Sequence, residues 1–122
     1  MTISGIQLRC GPEHYAAFSV TLAATVTAGL MDKREDTVGV YYEAGDSGDK
    51  VTFVFKADRI VVAKDGTTGG ITFTAGDKVY YNDYLNKVTS TTSGNTLIGI
   101  ALEDADEDAT TLEIYLDGTP RS

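Results

Sequence analysis

The side chains that could do chemistry are few and poorly grouped. His14 is the only histidine and Cys10 the only cysteine, and they stand beside Pro12 and Glu13. A metal site built on two histidines is out of reach within one chain. A Cys-His nucleophile pair at this spacing matches no enzyme signature, because such partners meet in space rather than in sequence. One histidine can act as a base, but His14 reads as a surface residue of a loop. The acidic run Glu103, Asp104, Asp106, Glu107 and Asp108 places Asp104, Asp106 and Asp108 at the first, third and fifth positions of a calcium loop. Ala109 then stands where the sharp-turn glycine is needed, and Tyr115 where the bidentate glutamate belongs. A solvated hairpin tip, polar and mutually repulsive, accounts for the run better. Gly66, Gly69 and Gly70 fit neither phosphate-cradling motif and read as a loop. No catalytic residue, cofactor or metal ligand is therefore expected.

The elements that position these residues read as strands. Val38 to Tyr42 is a β-branched and aromatic run closed by Gly45-Asp46-Ser47-Gly48-Asp49, which carries turn chemistry. Val51, Phe53 and Phe55 alternate with Thr52, Val54 and Lys56, and a separate run follows from Arg59 to Lys64. Ile71 and Phe73 lead through Ala75-Gly76-Asp77-Lys78 into Val79-Tyr80-Tyr81, and Asn82-Asp83 turns again. Lys87 to Thr92 reads as an exposed, threonine-rich strand. Leu97 to Leu102 is apolar, and Leu112, Ile114 and Leu116 alternate with Thr111, Glu113 and Tyr115. Tyr41-Tyr42 and Tyr80-Tyr81 each place one ring inward and one outward by the period of two. Helical apolar spacing is missing after residue 38. The fold class is all-β, a small single-domain β-sandwich or partly open β-barrel with an extended N-terminal arm. Residues 1–30 form the arm and first strands, and residues 31–122 the β-domain.

One internal likeness stands out. Val38-Gly39-Val40 matches Ile98-Gly99-Ile100, each runs into an acidic turn, and each re-enters an alternating strand. Val51, Phe53 and Phe55 then correspond to Leu112, Ile114 and Leu116, which makes two hairpins of one design. A glycine between two apolar residues lets a neighbouring backbone or ring approach closely.

Composition removes several functions. The chain has 122 residues, 42% hydrophobic and 23% charged, which suits one folded domain. A net charge of −8 is the wrong sign for a surface that neutralises phosphates, so nucleic acid is not an expected partner. One cysteine cannot make an intrachain disulfide. Residues 16–31 carry no charge but fall short of a bilayer span and are diluted by Thr and Ser, so no membrane partner is expected either. Their flank, with Arg9 as its only base, does not suit a signal peptide. They read as part of the folded protein.

The succession VGVYYEAGDSGDKVTFVFKADRIVVAK, FTAGDKVYYND, KVTSTTSGNTLIGIALEDADED and TLEIYLDG resembles the small decoration, or cement, proteins of tailed bacteriophage capsids. The most specific parts are Gly76-Asp77-Lys78-Val79-Tyr80 and Ile98-Gly99-Ile100-Ala101. The resemblance covers about residues 30 to 118, and nothing before residue 30 adds to it. It implies a non-enzymatic virion protein, made in the host cytoplasm, that binds the exterior of the expanded head and bridges subunits of the major capsid protein. It also implies a homo-oligomer, with a trimer favoured over a dimer. The contrasting functions are a β-domain of a tail, baseplate or fibre, and an acidic mimic of nucleic acid. The mimic would spread carboxylates in a track, whereas here they gather at turns.

Ile3, Ile6 and Leu8 alternate in the arm and are the candidate capsid contacts, adding as a strand to a capsid edge. The same alternation suits the first strand of the barrel equally well.

Overall fold

The computed structural model describes residues 7–8, for which only the backbone is considered, and residues 15–64, 71–92 and 94–119. Cys10, His14, Ile3, Ile6 and the glycines at 66–70 lie outside them. Among the described residues nine strands follow one another: β1 (Gln7–Leu8), β2 (Tyr15–Thr21), β3 (Met31–Arg34), β4 (Thr37–Tyr41), β5 (Lys50–Ala63), β6 (Lys78–Asn82), β7 (Lys87–Thr89), β8 (Thr96–Ala101) and β9 (Thr111–Asp117). No helix occurs among the described residues. The strands form a single sheet in the order β3-β4-β5-β9-β8-β6-β7, with β1 and β2 also paired to β5. A bridge from Lys64 to Val88 brings β7 back to the end of β5, so the sheet curls into a nearly closed barrel.

β5 organises both parts of the core. Val54, Ala57, Ile60 and Val62 enter the larger cluster inside the barrel, with Ile98, Leu112, Ile114 and Leu116. Val51 and Phe53 point to the opposite face and join Val20, Leu22 and Tyr41 under the 22–30 segment. The two runs expected at 51–56 and 59–64 are thus one strand of fourteen residues. Ala57-Asp58-Arg59 holds neither Gly nor Pro, and the chain takes a register shift between Ala57 and Ile60 rather than a turn. Arg59 ion-pairs with Glu113 across that irregularity at 3.0 Å.

The turns that end at Leu30, Asp49, Asp77 and Ala109 share one hydrogen-bond design. Leu30, Asp49, Asp77 and Ala109 each donate their N–H to the carbonyl three residues back, at 3.2, 2.9, 2.9 and 3.2 Å. The turns lock in pairs: Val26 and Gly45 exchange both backbone bonds, and so do Phe73 and Ala105. Gly29 and Gly76 then donate to Tyr41 and Ala101, each at 2.8 Å. Gly29, Gly48 and Gly76 adopt φ of 89°, 94° and 99°, the left-handed region a type II turn requires at its third residue.

The pairing repeats across the chain. Phe18 opposes Phe53 and Val20 opposes Val51 in the first half, where Ile60 opposes Ile114 and Val62 opposes Leu112 in the second. Tyr41 opposite Phe53 matches Ala101 opposite Ile114. The likeness between two hairpins is therefore part of a pseudo-two-fold relation between halves that meet in β5.

The threonine-rich segment differs from expectation. β7 ends at Thr89, and Val88 and Thr89 are buried rather than exposed. Closing the barrel turns Val88 inward, and the Thr89 hydroxyl accepts the N–H of Thr91 at 3.2 Å, which ends the strand.

Candidate functional site

The carboxylates at the turns are occupied by their own backbone. Glu43 accepts the N–H of Thr52 at 2.9 Å, and in the other half Glu103 accepts that of Glu113 at 2.8 Å. Asp49 accepts from Asp46 and Asp77 from Thr74, both at 2.8 Å. Asp104 reaches to the N–H of Ala75 at 2.9 Å, and Asp106 takes the N–H groups of Asp108 and Ala109 at 3.1 Å. These oxygens close turns, and among the described residues no cluster of three or more His, Cys, Asp or Glu is placed to hold a metal ion. The acidic tips are more than solvated: each bond satisfies a donor that a tight turn would otherwise leave to water.

Lys64 sits at the end of β5 and is buried. Its Nζ donates to the carbonyls of Ala109, at 3.1 Å, and Glu107, at 3.5 Å, while its backbone N–H donates to Thr110. The ammonium therefore clamps the last turn from beneath, in a chain whose negative charge is concentrated there.

Both tyrosine pairs divide as their alternation predicts. Tyr41 and Tyr81 are buried, Tyr42 is exposed and Tyr80 half-buried. Tyr41 donates to Asp32 at 2.6 Å and accepts from Arg34 at 3.1 Å. Tyr81 donates to Asn86 at 2.7 Å. Burial, aided by the hydrogen bond to Asp32 and opposed by Arg34, raises the pKa of Tyr41 above its ordinary value. Burial raises that of Tyr81 further, with the charges of Asp32 and Asp83 adding to it.

The consequence is alkaline lability. Above the unfolded tyrosine pKa of about 10, the unfolded chain loses protons that the native one retains, so stability falls as pH rises towards the raised native values. The melting temperature is expected to drop between about pH 10 and pH 12, and less so in Tyr81→Phe. An unchanged melting temperature across that interval would count against the protonated buried pair.

Among the described residues two open depressions stand out. One of about 460 Å³ is lined by Thr72, Phe73, Thr74, Asp104, Ala105 and Asp106, and one of about 340 Å³ by Asp77, Lys78, Tyr80, Ser90 and Thr92. Neither gathers a nucleophile with a base and an orienting group. Among the described residues Tyr84 is the most exposed of the large apolar side chains, at 90%, and Leu85 beside it is exposed as well. This tip was not singled out from sequence, where Asn82-Asp83 marks only a turn. Of the arm residues, Leu8 contributes its backbone to β1, in register with Ile60.

The class defined is a small all-β domain whose polar groups hold its own turns and whose exposed large apolar side chains, among the described residues, are Phe18, Tyr42 and Ile100 on or beside strands and Tyr84 and Leu85 at a hairpin tip. The chain belongs to the phage cement proteins, whose family model matches residues 13–116. The family is structural, and its members are virion proteins of the capsid. The match begins ahead of β2, so the family pattern reaches further towards the N-terminus than the motifs from residue 30 onward indicate. Searches of curated proteins and of solved structures return no significant match.

Proposed function

We propose that the chain decorates the outside of the expanded phage head and stabilises it by bridging neighbouring major capsid subunits as a homo-oligomer. The observation that carries this reading is the family match, which spans both pseudo-symmetric halves from residue 13 to residue 116. The fold supports it. A nearly closed barrel leaves few unpaired edges, which suits a protein held at high local density on a shell. Contacts of about 800 Å² per partner are modest singly and become tight when one oligomer grips several subunits together. The net charge of −8 suits the exterior better than the face towards packaged DNA.

The test is to incubate the purified protein with expanded, undecorated heads of its own phage and to follow bound stoichiometry and head melting. Saturable binding with a rise in the melting temperature of the heads is expected, and the absence of saturable binding would refute the reading. In the same assay a chain lacking residues 2–8 examines the arm. Attachment through Ile3, Ile6 and Leu8 predicts unchanged melting of the protein and lost decoration. A role as first barrel strand predicts loss of folding instead.

A further inference from the structure

The β6–β7 hairpin breaks the pseudo-two-fold relation. In the first half the paired strands β3 and β4 are joined by Glu35-Asp36 alone, with Arg34 opposite Thr37. In the second half the equivalent strands are β6 and β8, because Asp32 opposite Gly39 corresponds to Val79 opposite Gly99. Their connection runs through residues 83–95 and contains β7. A two-residue turn serves this purpose in one half, so the longer path in the other is not demanded by the sheet. β7 contributes Val88 to the core, but the tip at 83–86 contributes nothing to it.

That tip is held rigidly while showing apolar groups to water. Asn82 Oδ1 accepts the N–H groups of Tyr84 and Leu85 at 2.9 and 3.1 Å, and Asn86 N–H donates back to the Asn82 carbonyl at 2.8 Å. Asn86 adopts a left-handed φ of 56°, and its side-chain oxygen takes the hydroxyl proton of buried Tyr81. A core tyrosine thus fixes the residue that turns the hairpin. What the tip presents is Tyr84, 90% exposed, next to Leu85 at 43%. Asp83 on one side and Lys87 on the other leave it without net charge in a chain of −8.

We propose that Tyr84 and Leu85 form the anchor by which the protein docks into an apolar cleft of a major capsid subunit, a proposal that rests on the decoration reading above. Tyrosine is among the residues that carry most binding energy at interfaces, since its ring buries a large area and its hydroxyl finds a partner at the cleft floor. Holding the tip before contact removes most of the ordering cost of docking. Without net charge the tip neither gains nor loses from the sign of the surface it meets, unlike the acidic turns.

The experiment titrates wild-type protein, Tyr84→Ala, Leu85→Ala and Tyr84→Phe against expanded, undecorated heads, with melting and sedimentation of each free protein alongside. Tyr84→Ala is expected to weaken binding at least about tenfold, with Leu85→Ala weaker by a smaller factor and Tyr84→Phe in between. All three are expected to melt within a degree or two of wild type, since these side chains bury little area. Equal head binding by wild type and Tyr84→Ala overturns the anchor and leaves the decoration reading standing. Wild-type protein that fails to bind heads overturns both. A changed oligomeric state of free Tyr84→Ala with unchanged head affinity assigns the tip to contacts between copies and likewise overturns the proposal.

Discussion

Gly99→Ala is expected to destabilise the fold by more than about 4 kcal/mol, enough to leave little native protein when total stability is about 5–15 kcal/mol. Gly99 faces Leu116 across β8 and β9 and Val79 across β6 and β8. A Cβ there would run into the carbonyl of Tyr115, with its carbon at 3.0 Å and the Cα of Leu116 at 3.5 Å. These are backbone atoms of a paired strand and cannot swing aside as a side chain would. Relief requires parting β8 from β9, which breaks the register that points Leu112, Ile114 and Leu116 inward. Gly48→Ala is the control. Nothing lies within 4 Å of a Cβ at Gly48, and the substitution meets only its φ of 94°, for an expected loss of about 1 kcal/mol. Urea unfolding compares the two. A Gly99→Ala protein within about 1 kcal/mol of wild type would contradict the close approach.

Much of this architecture is legible in the residues, for a local reason. Period-two alternation in Val51, Phe53 and Phe55 and in Leu112, Ile114 and Leu116 depends on nothing beyond the strand, and the two Gly-centred runs mark strands that pack closely. Their equivalence survives in the pairing of Phe53 with Tyr41 and of Ile114 with Ala101. The full pseudo-symmetry is harder to see, although Thr27-Ala28-Gly29 and Thr74-Ala75-Gly76 repeat a tripeptide. The first copy lies in an uncharged stretch without strand alternation, and its meaning appears only when Val26 meets Gly45 as Phe73 meets Ala105.

The surface is less legible than the fold. The acidic runs look like repelling tips because sequence shows their charges but not the N–H groups they accept, such as that of Thr52 on Glu43. Burial of Lys64 depends on β5 ending beneath the turn at Glu107 to Ala109. Asn82-Asp83-Tyr84-Leu85 reads as turn chemistry. The bond that holds Asn86 at the end of this turn comes from Tyr81, whose ring belongs to the core and is separated from the tip's own pattern.

Phe53→Ala is expected to cost about 3–5 kcal/mol, the range for removing a buried aromatic ring. Phe53 is fully buried at the centre of the smaller cluster, 5.2 Å from the ring of Tyr41 and 5.4 Å from that of Phe18. Its loss would strip contacts from Val20, Leu22 and Val51 together, because the 22–30 segment packs there on this one layer. The ring also lies over Gly39, where a Cβ would meet it at 2.7 Å and the Val54 carbonyl at 2.5 Å. Gly39→Ala therefore clashes with one group that can be deleted and one that cannot. In a double-mutant cycle, Phe53→Ala with Gly39→Ala should lose less than the sum of the single losses, by about 0.5–3 kcal/mol. Phe53→Ala with Gly99→Ala should be close to additive, since the obstacle at Gly99 is backbone in the other half. Additivity in both cycles would mean that the Val54 carbonyl alone excludes a side chain at Gly39, and that the Phe53 ring fills space without setting how closely β4 and β5 approach.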